Sequence, residues 1–255
     1  MTRVIAVVNQ KGGVGKTTTS VNLAAGLAKL KKRVLMIDLD PQGNATVALG
    51  IERNETEYTA YDLLMGEVSC IDVRVRAEQA RLDVIPANGD LTAAEIELIN
   101  QDQGALALKN ALTPCLGDYD VVLIDCPPSL NMLTLSGLAA ANGLLVPVQC
   151  EYFALEGLSA LMNTVQRVQA DLNPDLVIDG LLRTMHDRRN NLANDVSNQL
   201  VAHFGLKVLQ TIIPRNIRLA EAPSYGESIL DYDVNSTGAM AYLALANELV
   251  RKLKF

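Results

Sequence analysis

Lys11-Gly12-Gly13-Val14-Gly15-Lys16-Thr17-Thr18 is the stretch that decides the fold. It follows a short apolar run, residues 3–9, and opens a helical stretch, residues 16–30. A glycine-rich turn in that place lets backbone N–H groups converge on phosphate oxygens, and the helix N-terminus adds partial positive charge. Lys16 is placed to reach the β- and γ-phosphates, and the Thr17 hydroxyl to ligate Mg²⁺. The general pattern, Gly-x-x-x-x-Gly-Lys, begins with glycine; here that position is Gln10, and an extra lysine, Lys11, sits beside the glycines. The plain alternative is an ordinary strand-to-helix turn with exposed lysines. Gly-Lys-Thr-Thr between a strand and a helix argues against it.

Outward from this loop, apolar and β-branched runs alternate with amphipathic stretches. Strands are expected at 3–9, 33–38, 82–86, 120–125, 143–148, 176–183 and 208–213. Helices are expected at 16–30, 91–100, 105–112, 132–141, 154–170, 192–204 and 237–252. Strands that are apolar throughout, alternating with helices, imply an α/β fold: a mostly parallel, twisted sheet with helices on both faces. Such sheets bind ligands at the carboxyl ends of their strands. The segment 50–83 is more polar and less regular, and reads as an excursion at one sheet edge. With no linker and no internal repeat, residues 1–255 read as a single domain.

Composition agrees with that class. The chain has 255 residues, 49% hydrophobic and 20% charged, which excludes disorder, collagen and coiled coil as the main architecture. No apolar run approaches the roughly 18 residues of a membrane span. The amino-terminal apolar run, Val4 to Val8, is shorter than the roughly 7–15 residues of a signal peptide's apolar region, so a cytoplasmic protein is expected. A net charge of −7 means that any nucleic-acid contact needs a local basic patch. Cys70, Cys115, Cys126 and Cys150 form no C-x-x-C pair. They read as buried reduced thiols, with a cluster shared between two subunits as the other reading. His186 and His203 suggest no metal site.

Two carboxylate motifs follow strands. In Ile37-Asp38-Leu39-Asp40-Pro41-Gln42-Gly43-Asn44 the acids lie where phosphates and Mg²⁺ would be; such a group can hold the metal, position the attacking water, or accept its proton. A solvated Asp-Pro turn is the alternative. Val121-Val122-Leu123-Ile124-Asp125-Cys126-Pro127-Pro128-Ser129 is an apolar strand ending in an acid suited to hold a Mg²⁺-bound water. Pro127 and Pro128 stiffen the turn after it, and Cys126 reads as packing.

The glycine loop is similar to the deviant Walker A motif of the MinD/ParA class of P-loop ATPases. Asp-x-Asp-Pro-Gln-Gly-Asn resembles switch I of the ParA/Soj branch, and Asp-Cys-Pro-Pro-Ser resembles switch II. Pro147-Val148-Gln149-Cys150-Glu151-Tyr152-Phe153-Ala154-Leu155-Glu156-Gly157 closely matches a ParA/Soj loop near the dimer interface. The resemblance covers residues 2 to about 250. It implies ATP and Mg²⁺ as ligands and a sandwich dimer in which Lys11 reaches the partner's nucleotide. It gives Asp40 the hydrolysis role and leaves Asp38 structural or one step removed from the metal. It also puts Pro214, Arg215 and Asn216, within the stretch 213–224, beside the adenine.

The same resemblance implies an ATP-dependent homodimer, cytoplasmic and on the nucleoid when ATP-bound. It would bind DNA without sequence preference and answer to a ParB/Spo0J-type partner. Arg189 falls where the family has a DNA-contacting arginine, and Arg218 is a second candidate. An ordinary solvated loop is the alternative for 185–192. A MinD-type membrane ATPase is the runner-up, but the tail 248–255 reads as the end of a packed helix, so no membrane is expected. A metabolic P-loop enzyme, a nitrogenase-iron-protein-like reductase or an amide ligase, is the more distant reading.

Overall fold

The computed structural model describes residues 2–254. Eight strands form one sheet: β1 (Arg3–Val7), β2 (Val34–Asp38), β3 (Val75–Ala77), β4 (Leu82–Ile85), β5 (Val121–Asp125), β6 (Gly143–Gln149), β7 (Val177–His186) and β8 (Val208–Pro214). Their order across the sheet is β3-β4-β2-β5-β1-β6-β7-β8. Every neighbouring pair is parallel except β3 with β4. The expected mostly parallel α/β sheet is therefore observed.

Alternation along the strands explains the two covered faces. In β1, Val4 and Ala6 point into one core while Ile5 and Val7 point into the other. The first core joins Leu35, Ile37, Val122 and Ile124 to helical Leu63, Leu91, Leu133 and Leu158. The second joins Met36, Leu123 and Leu145 to Leu23 and Leu27 of the helix Lys16–Lys29 and to Tyr242, Leu245 and Leu249 of the helix Thr237–Leu253. With apolar cover on both sides, the strands read as continuous apolar runs.

The seven expected helices are present, with ends within two residues of the predicted ones. One strand differs in a way that matters. β7 continues past Arg183 to His186, because β6 pairs with it as far as Gln149↔Thr184 and β8 reaches it at His186↔Pro214. This extension carries Thr184 and Met185 to the carboxyl end of the sheet. The excursion 50–83 does hold a sheet edge. It contains the helix Ala60–Met65, closed by a Thr59/Asp62 capping box, and the short antiparallel β3.

All four cysteines are buried. Cys126 packs under Gly137, where an added Cβ would stand 3.1 Å from its Sγ. No group of three or more His, Cys, Asp or Glu side chains suited to a metal occurs among the described residues. The apolar side of the helix Thr237–Leu253 is occupied by the core, and no described helix is long and apolar enough to cross a membrane.

Candidate functional site

Strand β1 ends just before the glycine loop, and Asn9 fixes the exit. Its Nδ2 donates to the Pro147 carbonyl (2.7 Å) and its Oδ1 accepts from the Lys11 N–H (3.0 Å). Gly13 and Gly15 have φ of +72° and +87°, a region costly for any side chain. Gly15 also caps the helix Lys16–Lys29. Added Cβ atoms on Gly12 and Gly13 would meet nothing within 4 Å, so the loop faces open space. Val14 is buried beneath it, and the Thr184 Oγ1 donates to its carbonyl (2.8 Å).

That space is a cavity of about 530 Å³ lined by Gly12, Gly13, Gly15, Lys16, Thr17 and Thr18. Asp40 closes one side and Pro214, Arg215 and Asn216 another. Lys16 is only 8% exposed, and its Nζ reaches the Lys11 carbonyl at 3.4 Å. Burial lowers its pKa, although Asp125 and Asp40 pull the other way. A desolvated ammonium facing open space calls for an anion.

Behind it stands a buried carboxylate. Asp125 closes β5 and accepts from Thr17 Oγ1 (2.8 Å) and Ser20 Oγ (2.7 Å). Asp38 ends the neighbouring β2 in register with it. Burial raises the pKa of both, and for Asp125 the Asp38 charge adds to the rise. Asp38 is spent on structure: it accepts from the Asp40 N–H (3.1 Å) and from the Thr46 N–H and hydroxyl (2.9 and 2.8 Å). It thus shapes the turn that carries Asp40 to the cavity. Gly43 completes that turn at φ +61°, where a Cβ would lie 2.7 Å from the Ala87 carbonyl.

Thr17, Asp40 and Asp125 offer only hard oxygen donors, and a buried carboxylate with a raised pKa gains from a cation. This set suits Mg²⁺, which commonly takes one or two protein carboxylates alongside phosphates and waters.

The remaining expected residues are placed differently. Lys11 lies outside the cavity lining and pairs with Glu151 of the same chain at 2.6 Å. Asn216 is engaged by its own fold, donating to Thr237 Oγ1 (2.8 Å) and accepting from the Leu219 N–H (3.3 Å). Arg189 forms a two-pronged pair with Asp187 (3.0 and 2.8 Å), which holds the Asp187 carboxyl well below the usual range. Arg218 pairs with Glu221 (2.7 Å) and Asp233 (3.6 Å). Sequence reading missed Ser20, Thr184, Met185 and Glu151 as participants. Ser20 was within reach, since it stands one helical turn from Thr17 on the same face.

The loop, the strand-end carboxylates and the sheet order define a nucleotide-binding protein of the P-loop type. A family model described as an AAA domain matches residues 2–178. The chromosome partitioning protein ParA of Caulobacter vibrioides is 51% identical over 98% of this chain and 94% of that protein. The sporulation initiation inhibitor Soj of Bacillus subtilis is 52% identical over 98% of each. Among solved structures, cobyrinic acid a,c-diamide synthase from Mycobacterium smegmatis, with bound ATP analog and magnesium, superposes with a TM-score of 0.87. It is 40% identical, over 100% of this chain and 96% of that one. The chain belongs to the ParA/Soj family of chromosome-partitioning ATPases.

Proposed function

We propose that this chain is an ATP-hydrolysing switch that dimerises on ATP, binds DNA without sequence preference, and moves DNA with a ParB-type partner. The observation that carries the reading is Lys16: a buried ammonium with no anionic partner in hydrogen-bond reach among the described residues, facing a cavity rimmed by the loop, Thr17 and Asp40. Backbone N–H groups of the loop and Lys16 bind the phosphates; Pro214 and Arg215 border the base. Bound through Thr17, and through Asp125 by way of water, Mg²⁺ offsets phosphate charge. Asp40 orients the attacking water and accepts its proton as the oxygen bonds to the γ-phosphorus and ADP leaves. Lys11 exchanges Glu151 for the partner's nucleotide, where its charge acts as an arginine finger does.

Dimerisation sets two copies of the Arg189 and Arg218 region on one body. Linked weak sites gain through effective concentration, which gives an acidic chain a route to DNA that depends on ATP. DNA binding compared with ATP, ADP and no nucleotide tests the whole reading: binding is expected with ATP alone. The name of the Mycobacterium smegmatis structure supports a second reading, an ATP-dependent amide-forming enzyme. That reading expects ATP turnover to require a carboxylic acid and an amide donor, where the partition reading expects it to respond to DNA and a ParB-type protein.

A further inference from the structure

The amino end of the sheet holds a second cavity, of about 630 Å³, far from the glycine loop. Strands β2 and β4 are parallel neighbours, and β2 pairs with β5, so their amino ends open together. The five residues of β2, roughly 16 Å at ~3.3 Å each, separate this end from the carboxylates at the other. Six cationic side chains line the cavity, Lys31, Lys32, Arg33, Arg74, Arg76 and Arg81, against two carboxylates, Asp83 and Asp118. For a chain of net charge −7 this is a marked local excess.

The wall is built, not only decorated. Tyr119, 4% exposed, donates to Asp83 Oδ2 (2.8 Å) and accepts from Arg74 Nη1 (2.9 Å). Arg74 is further held by Asp118 (3.3 Å), Arg76 by Asp83 (2.9 Å) and Arg33 by Asp120 just outside the lining (2.8 Å), which leaves the excess to Lys31 and Arg81. Among the described residues Lys31 and Arg81 have no acidic partner within ion-pair distance, and both occupy the left-handed backbone region, at φ +64° and +58°. Lys31 follows the C-cap of the helix Lys16–Lys29, where glycine is the usual residue. Its charge is explained in part by the negative end of the helix dipole. That explanation does not extend to Arg81, which stands in the turn between β3 and β4 with its N–H on the Ala77 carbonyl (2.8 Å). Two strained, cationic, non-glycine residues on one cavity point to a function that outweighs their backbone cost.

We propose that this basal cavity is a second anion site that takes a compact, multiply charged phosphate of the polyphosphate or nucleotide class. A concave space of this size matches a small ligand. Its cations come from separate segments of the chain and converge on one concave space.

Inorganic tripolyphosphate is the probe, titrated calorimetrically without Mg²⁺ into the Lys16→Ala chain, in which the carboxyl-end cradle is weakened. One saturable site per chain is expected. Lys31→Gly with Arg81→Gly should weaken it at least about ten-fold, the loss expected of two charge-assisted contacts. The same pair should raise Tm by a few degrees, because glycine adopts positive φ freely. A rise in Tm without loss of tripolyphosphate binding would reduce both residues to local structure and overturn the proposal, as would the absence of a saturable site. A parallel titration with a short DNA duplex separates the remaining possibility: if the double variant loses duplex and keeps tripolyphosphate, this end is a nucleic-acid face instead.

Discussion

Lys16 and Arg189 are two cations held in opposite ways. Lys16 is buried, and among the described residues its ammonium meets a single hydrogen-bond partner, a backbone carbonyl at 3.4 Å. Arg189 has a side chain 90% exposed and already carries a carboxylate, Asp187. The first arrangement is costly in the free chain and relieved when an anion arrives, so removing it should abolish an interaction outright. The second is cheap, screened by salt and shared among several residues, so changing it should tune an affinity. A nucleotide site and a DNA-backbone site need those two kinds of response.

The comparison breaks most visibly at Asp40. This acid lines the cavity, whereas Asp125 is the fully buried carboxylate beside Thr17, so Asp40→Ala should keep ATP and lose hydrolysis by about 10²–10⁴-fold, the usual worth of a general base. The dimer should accumulate with ATP in size-exclusion chromatography. Lys11→Ala should fail to dimerise, since its expected target lies on the other subunit. A monomeric Asp40→Ala beside a dimeric Lys11→Ala would reverse the two roles.

Next in size is Lys16 itself. Charge-assisted bonds are worth about 1.5–3 kcal/mol each, so Lys16→Ala should lose roughly 10²-fold or more in ATP affinity and with it the dimer. Tm of the nucleotide-free chain should not fall, because a desolvated charge has been removed. Calorimetry and thermal unfolding on the same preparation check both halves. A variant that is destabilised but still binds ATP would mean that Lys16 serves the fold.

Much of the carboxyl end was legible because its residues are local in sequence. Glycine loop, lysine and threonine fall within eight positions, and Asp38 and Asp125 each end a run whose apolar residues both sheet faces require, with Asp40 two positions further on. What escaped was non-local. Glu151 meets Lys11 across 140 positions, and Thr184 reaches Val14 across 170. β3 has only three residues and exists through its partner β4, so no periodicity announces it. Arg189 and Arg218 stand among basic residues that cluster late in the chain, and the resemblance singles them out without giving their geometry. Their partners, two and three positions away, belong to loops and a short helix whose geometry the pattern did not specify.

The buried acids add a dependence on pH. Asp125 has its pKa raised by burial and by Asp38, to about 7. A raised folded-state value means that this stability is fully present below the unfolded value, near 4, and is lost as pH climbs through the folded one. Mg²⁺ and the Thr17 and Ser20 hydroxyls favour the ionised form. The rise in Tm on adding Mg–ADP should therefore be larger at pH 8 than at pH 6, and Asp125→Asn should flatten the difference. An equal or larger rise at pH 6 in the wild type would detach Asp125 from the metal.

The smallest effect tests Arg189 from both sides. Each phosphate neutralised contributes about −0.9 to the slope of log K against log salt. Arg189→Glu should lower affinity on every DNA sequence alike and flatten that slope, while ATP-dependent dimerisation survives; Arg218→Glu should do the same more weakly. Asp187→Asn works the other way. Asp187 holds Arg189 through two hydrogen bonds, so a phosphate must displace a carboxylate before it can pair. Exposed ion pairs are weak, and releasing this one should raise DNA affinity only about two- to five-fold, with a slope steeper by at most about one phosphate. Gel shifts with ATP across a salt series measure affinity and slope together. If Asp187→Asn weakens binding, the carboxylate is holding Arg189 in its working position, and the exposed cation is preorganised rather than restrained.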